Sequence, residues 1–199
     1  MEHLEFVERV VPHLPSSPPS SMSFKNWSYG GRPTKEGVGV MAIPGVDPEK
    51  LLAAVMDVDN YVGNIDKVVE SRAVPDERYE LPQSVRFYQR IKIPVLGAIH
   101  YENVLHRIEA RAGYEIVAWH LLEKETAALS KKVGIRNAYS LGAWFAAPGV
   151  VGYALATAPR REDVGMLKWK AMTKGADAAA SAALKINMEG MARWAARRS

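Results

Sequence analysis

The residues best able to do chemistry in this chain are its histidines and their acidic and phenolic neighbours. His100, Glu102 and His106 share one parity within "AIHYENVLHRIEA", and His120 follows in "YEIVAWHLLE". Imidazole and carboxylate groups move protons near neutral pH, so His106, Glu102, His120 and Tyr153 are the candidates for general acid–base work. Their spacing selects none of them, and no catalytic residue is assigned. Metal binding is the other use of such a set. His100 and His106 lie about 20 Å apart if their segment is a strand. A single ion with bonds of about 2 Å cannot join them. A metal site would need His120 from the next segment, and neither a metal nor another cofactor is expected. Ser130-Lys131-Lys132 and Gly37-Val38-Gly39 resemble fragments of a nucleophile motif and a phosphate loop. Both lack the strand, Gly-rich turn and helix that such motifs require.

Composition narrows the classes further. The chain has 199 residues, of which 48% are hydrophobic and 24% charged, and it contains no cysteine. Disulfides, thiol nucleophiles and thiolate metal sites are therefore absent. The net charge of +4 is mild and sits partly in Arg193, Arg197 and Arg198. Cations suit the end of a helix, and contact with an anionic membrane surface is the sharper alternative. No nucleic-acid motif accompanies the charge, so no nucleic-acid partner is expected. The opening "MEHLEFVERVVPHL" lacks the basic start and apolar run of a signal peptide. No apolar run reaches the length of a transmembrane helix. The expected location is the cytoplasm.

These side chains need elements to position them. "EHLEFVERVV" carries Leu4, Phe6, Val7, Val10 and Val11 at the spacing of a short amphipathic helix. "PHLPSSPPSSMS" then reads as an extended linker. Residues 1–22 are thus an arm, and residues 23–199 the main domain. Whether the arm docks on the domain, on a partner subunit or on nothing is not legible. "GVGVMAIP" reads as a strand. Asp47, Pro48 and Glu49 then mark a helix start, as cap, first helical residue and first-turn acid. From 84 to 158, alternating segments joined by short turns predict an antiparallel meander. "SVRFYQRIKIP" sets Val85, Phe87, Gln89, Ile91 and Ile93 against Arg86, Tyr88, Arg90 and Lys92. A long helix over 163–197 ends the chain, on the order of 45 Å at full length. Its predicted buried stripe is Met172, Ala176, Ala179, Ala183, Ile186, Gly190 and Trp194. Its polar stripe is Lys170, Lys174, Asp177, Ser181 and Lys185.

That order of elements resembles the START-like superfamily, which includes birch-pollen-allergen proteins, polyketide cyclases and lipid-transfer domains. "GVMAIPGVDPEKLLAAVMDVDNYVGNIDKVVESRAV" is similar to the family's opening: a strand, a helix beginning at Asp-Pro-Glu, a D-x-x-x-Y turn and a second strand. "FYQRIKIPVLGAIHYENVLHRIE" is similar to its third and fourth strands, and "SLGAWFAAPGVVGYALATAP" to its last hairpin. The resemblance covers roughly residues 37–197. One departure is "AIHYEN", where many such chains carry an Asp/Arg-rich patch, so no role tied to that patch is carried over. The resemblance implies an α+β helix-grip fold: a curved antiparallel sheet around a long C-terminal helix, with two short helices between the first strands. It also implies that the Ala- and Gly-rich helix face leaves room for a ligand. The cavity would be lined by Tyr61, Phe87, Gln89, Ile91, Trp119, Ser140, Trp144, Tyr153, Leu155, Met172, Ala176, Ala179 and Ala183. Tyr61, in the turn of residues 57–66, would gate one end or staple helix to sheet. The leading functional expectation is binding, with possible transport, of a hydrophobic small molecule such as a lipid, sterol, isoprenoid or polyketide-like compound. Transient membrane contact would accompany it. A cyclase or aromatase on the same scaffold and an interaction protein with a filled core are the alternatives. The oligomeric state is not legible.

Overall fold

Alternation along the chain builds an eight-stranded sheet. The computed structural model describes residues 1–93 and 97–198, except for the side chains of 176–178. The turn at 94–96 and the side chains of Ala176 and Asp177 therefore lie outside the described residues. The strands are β1 (Ser23–Trp27), β2 (Glu36–Ala42), β3 (Val68–Ala73), β4 (Ser84–Ile93), β5 (Gly97–Arg111), β6 (Tyr114–Leu121), β7 (Ile135–Ala147) and β8 (Val150–Pro159). Their order is β1-β2-β8-β7-β6-β5-β4-β3, and neighbours in that order run antiparallel. β6 stops at Leu121 while β5 and β7 run on past it, so these two meet in a short parallel contact at Ile99–Ile135 and His100–Arg136.

The long helix α5 (Met166–Arg197) lies across the concave face. The predicted start at 163 is displaced because Gly165, at φ +73°, separates α5 from the four-residue helix α4 (Arg161–Val164). A backbone in the left-handed region interrupts a right-handed helix, and glycine tolerates it. The predicted stripe holds at Met172 and Trp194, which are buried, and fails at one position. Ile186 is 46% exposed, whereas Leu184, Met188 and Met191 are buried. Gly190 does face the protein: a Cβ there would lie 3.1 Å from the Asn64 carbonyl oxygen. A second helix, α2 (Pro48–Met56), adds Leu51, Leu52 and Val55 to the same core. Asp47 caps it by accepting the Lys50 amide at 3.1 Å. A 3-10 turn over Val58–Asn60 supplies the second short helix between β2 and β3. A further helix, α3 (Glu123–Ala128), connects β6 to β7 and was not anticipated from the sequence.

The arm docks on the opposite, convex face. Phe6, Val7 and Val10 of α1 (Glu2–Val10) join Val40, Ile116 and Phe145 in a separate core. Glu36, fully buried, ties this layer together. Its carboxylate accepts two hydrogen bonds from Arg9, one from Trp27 Nε1 and one from Arg32, all at 2.8–2.9 Å. A buried carboxylate is tolerated when all its acceptor sites are matched by cations and donors in this way.

Candidate functional site: the cavity under the long helix

The curved sheet leaves a cavity of about 520 Å³ against α5. Period-two geometry decides its walls. On β4, Phe87, Gln89 and Ile91 face inward, and their register partners on β5, Asn103, Tyr101 and Ile99, must do the same. On β6 to β8 the inward set is Trp119, Ser140, Trp144, Tyr153 and Leu155. Met172, Ala179 and Ala183 close the site from α5, and Tyr61 lines it from the loop of residues 57–66. Ala176 lies outside the described residues, and each of the other twelve predicted residues lines the cavity. Leu105, Tyr101, Asn103, Asn137 and Asn187 line it too and were missed. Cross-strand register from Phe87 and Gln89 was the available signal for Tyr101 and Asn103. Asn187 lies four residues after Ala183, where the predicted stripe stepped by three to Ile186 instead.

The wall is aromatic at one side. Trp144 stacks on Tyr153 with ring centroids 4.2 Å apart, and Trp119 lies tilted 5.7 Å from the same Tyr153. Gly142 makes this possible. It pairs with Trp119 across β6 and β7, and a Cβ on it would lie 2.0 Å from the indole. The polar groups adjoin this aromatic side. Tyr101 Oη donates to Gln89 Oε1 at 2.5 Å. Ser140 Oγ accepts from Trp119 Nε1 at 3.2 Å and from Asn103 Nδ2 at 3.3 Å. Both lone pairs of Ser140 are then used, and its O–H proton remains to be given. Asn103 Oδ1 and Asn187 Oδ1 are buried acceptors without a hydrogen-bond partner among the described residues. Buried acceptors are normally satisfied, so these two invite a donor.

Charge is confined to the rim. Among the described lining residues only Lys35, Asp66 and Lys67 carry charged side chains, and all three are exposed. Burial raises the phenols of Tyr61, Tyr101 and Tyr153 well above their ordinary range, so they stay neutral. Tyr61 is both wall and staple. Its Oη donates to the Val55 carbonyl, and its ring meets Phe87 and Trp194 edge-on at 6.0 Å each. The loop around it is pinned elsewhere: Asp59 Oδ1 accepts the Ala73 amide at 2.7 Å, Asn60 donates to Asp57, and Arg198 pairs with Asp57.

Of the four acid–base candidates, only Tyr153 faces the cavity. Glu102, His106 and His120 have the opposite parity and point to the convex side. Glu102 pairs there with Arg86 at 2.5 Å. His106 and His120 do come together, and His3 of α1 joins them. The three ring centroids lie 4.4–5.2 Å apart. Burial, reinforced by the neighbouring imidazoles, lowers His3 to about 3 and His106 to about 4. Burial also lowers His120.

Neither a family model nor a curated protein matches this sequence. Solved structures do match its fold. A STAR-related lipid transfer protein from Xanthomonas axonopodis (fragment 25–204) superposes with a TM-score of 0.71 at 13% identity, over 91% of this chain and 97% of that one. The chain has the START-like helix-grip fold. Human STARD10 gives a TM-score of 0.67 at 14% identity, over 89% of this chain and 72% of that one. The Zhui aromatase/cyclase from Streptomyces sp. R1128 gives 0.54 at 13% identity, over 89% and 95%. Lipid-transfer and cyclase proteins thus share this START-like scaffold. No helix among the described residues is long and apolar enough to cross a membrane.

Proposed function

We propose that this protein binds a hydrophobic small molecule, of lipid, sterol, isoprenoid or polyketide-like type, in the cavity between sheet and α5, and carries it between membranes or partners. The carrying observation is an apolar and aromatic cavity of about 520 Å³ that holds unpartnered acceptors but no buried charge among its described lining residues. That size and makeup are those of small-molecule sites. Burial of about 300 Å² of apolar ligand surface would supply roughly 7–8 kcal/mol before the entropic losses of binding. The amide oxygens of Asn103 and Asn187 favour a ligand with a hydroxyl or another donor. The contacts would come from the wall residues, Trp119, Trp144, Tyr153 and Phe87 above all. A START-like lipid-transfer protein is a similar fold, and that likeness supports the reading without naming the ligand.

Entry would be past the N-terminal half of α5. Its first turn is exposed, Leu167 at 86% and Met166 at 44%, and the half is anchored by the Trp169 hydrogen bond to the Pro159 carbonyl and by the buried Met172. The C-terminal half is clamped by Met188, Met191 and Trp194 in the core. Leu167 beside Lys168 and Lys170 also suits brief contact with an anionic membrane during loading. The cyclase alternative would have to draw on the phenols and hydroxyls of the wall, because the charged side chains among the described lining residues, Lys35, Asp66 and Lys67, sit at the exposed rim.

Native mass spectrometry of the protein as purified, followed by denaturation and organic extraction, tests the proposal. A co-purifying hydrophobic mass is the expected result. An unliganded protein that also takes up none of a panel of fatty acids, sterols and phospholipids would overturn it.

A further inference from the structure

The convex face carries a second cluster that the ligand cavity does not use. His3 on α1, His106 on β5 and His120 on β6 each place one ring nitrogen within 4.8 Å of those of the other two. The nitrogens His3 Nδ1, His106 Nε2 and His120 Nδ1 are all buried and have no hydrogen-bond partner among the described residues. Three orphaned imidazole nitrogens in one cluster of rings are unusual, because buried polar atoms are normally paired. His106 is also oriented from behind. Its Nδ1 lies 2.8 Å from Ser84 Oγ, which leaves Nε2 as the free nitrogen. Metal-bound histidines are commonly held in this way through their other nitrogen.

We propose that His3, His106 and His120 form a binding site for one divalent transition-metal ion of the zinc class, which pins helix α1 to the sheet. Three imidazoles suit zinc, cobalt, nickel or copper, and offer no oxygen ligand for calcium or magnesium. Bonds of about 2.0–2.1 Å in tetrahedral geometry bring ligand nitrogens to about 3.3 Å of one another. The rings, now within 13° of parallel, would swing inward by about an ångström each, a motion that the broad χ2 torsion of histidine permits. The fourth position would be taken by water. The ion would join residue 3 to residues 106 and 120, so it would act on the docking of α1, and none of its three ligands lines the cavity on the other face.

The test uses full-length protein without a histidine tag, stripped with a chelator and titrated with Zn²⁺ by calorimetry and with Co²⁺ by visible absorption. One ion per chain is expected, with the intense bands of tetrahedral cobalt. At a hundredfold excess over Kd the melting temperature should rise by about 5–10 °C. His106→Gln and His120→Gln should each weaken binding at least about a hundredfold. Circular dichroism would verify that they fold. If a variant does not fold, histidine side-chain ¹⁵N shifts in the wild type replace it: His3, His106 and His120 should move with zinc, and His13 and His100 should not. The proposal fails if no ion binds, if the folded variants bind as the wild type does, or if the wrong histidines move.

Discussion

Ala183 offers a test in which the sign of the result decides. It lines the cavity from α5, beside the buried Leu184. In a filled core, exchanging alanine for phenylalanine over-packs and destabilises by about 1–3 kcal/mol. Over a cavity of about 520 Å³ the ring has somewhere to go. Ala183→Phe would then remove on the order of 100 Å² of additional apolar surface from water, worth about 2.5 kcal/mol at 25 cal/mol per Å². Rotamer ordering and imperfect contact reduce this to about 1–2 kcal/mol. For a chain of this size that is a rise of about 2–8 °C in melting temperature. The measurement uses delipidated protein, since a bound ligand would stabilise the wild type and hide the effect. The same substitution should reduce the ligand recovered by organic extraction several-fold. A variant that melts lower than the wild type and still carries a full ligand load would refute both the cavity and its proposed use.

Two further substitutions probe what shapes the scaffold. Gly142→Ala places a methyl 2.0 Å from the Trp119 ring. The indole must leave its position, with a loss of about 1–3 kcal/mol and an altered near-ultraviolet circular dichroism spectrum; an unchanged spectrum and melting temperature would contradict the packing. Asp163 is buried against Arg136 at 2.7 Å, and the guanidinium lowers its carboxyl from 3.8 to about 2. Its folded-state pKa is depressed, so the stabilisation is complete above about pH 4 and is lost as pH falls toward 2. Asp163→Asn should therefore cost about 2–3 kcal/mol at pH 7, and the gap to wild type should close between pH 4 and pH 2 in urea titrations. A gap independent of pH would show that the charge is not responsible.

Alternation on β4 suggested a face without fixing it: Arg86, Arg90 and Lys92 mark the outward side, while Gln89 on the inward side and Tyr88 on the outward side break the pattern. Once Phe87 and Gln89 face in, pairing fixes their partners on β5. The C-terminal helix was legible as a helix, and among the described positions of its predicted stripe Ile186 is the one that fails. Its middle is alanine and glycine, which bury without announcing a side, so spacing alone does not separate Ile186 from Leu184 as the core residue. The packing instead selects Leu184, Met188 and Met191, set by where α2 and the loop at 57–66 approach. Asn103 was overlooked for a different reason, although pairing with Phe87 places it on the inward face. Polar residues on an inward face look like pattern errors until a cavity exists for them to serve.

The two faces of the sheet carry opposite chemistry, and that division bears on how the fold could be regulated. Inward, the described walls are neutral, and the three buried phenols remain so across the physiological range. Outward, the same strands present Glu102, His106, Arg86 and Glu36, and the arm is built to meet them through Arg9 and His3. A ligand in the cavity touches β5 and β6 from one side through Tyr101, Asn103 and Trp119. The arm touches the adjacent residues of the same strands from the other, through His106 and His120. A shift of either strand on ligand binding must therefore reach the arm without any intervening element. The consequence is measurable by amide exchange: loading the cavity should change protection in α1, although no residue of α1 lines the cavity. Unchanged exchange in α1 between the loaded and empty protein would show that the sheet insulates its two faces and that the arm is an independent fastening.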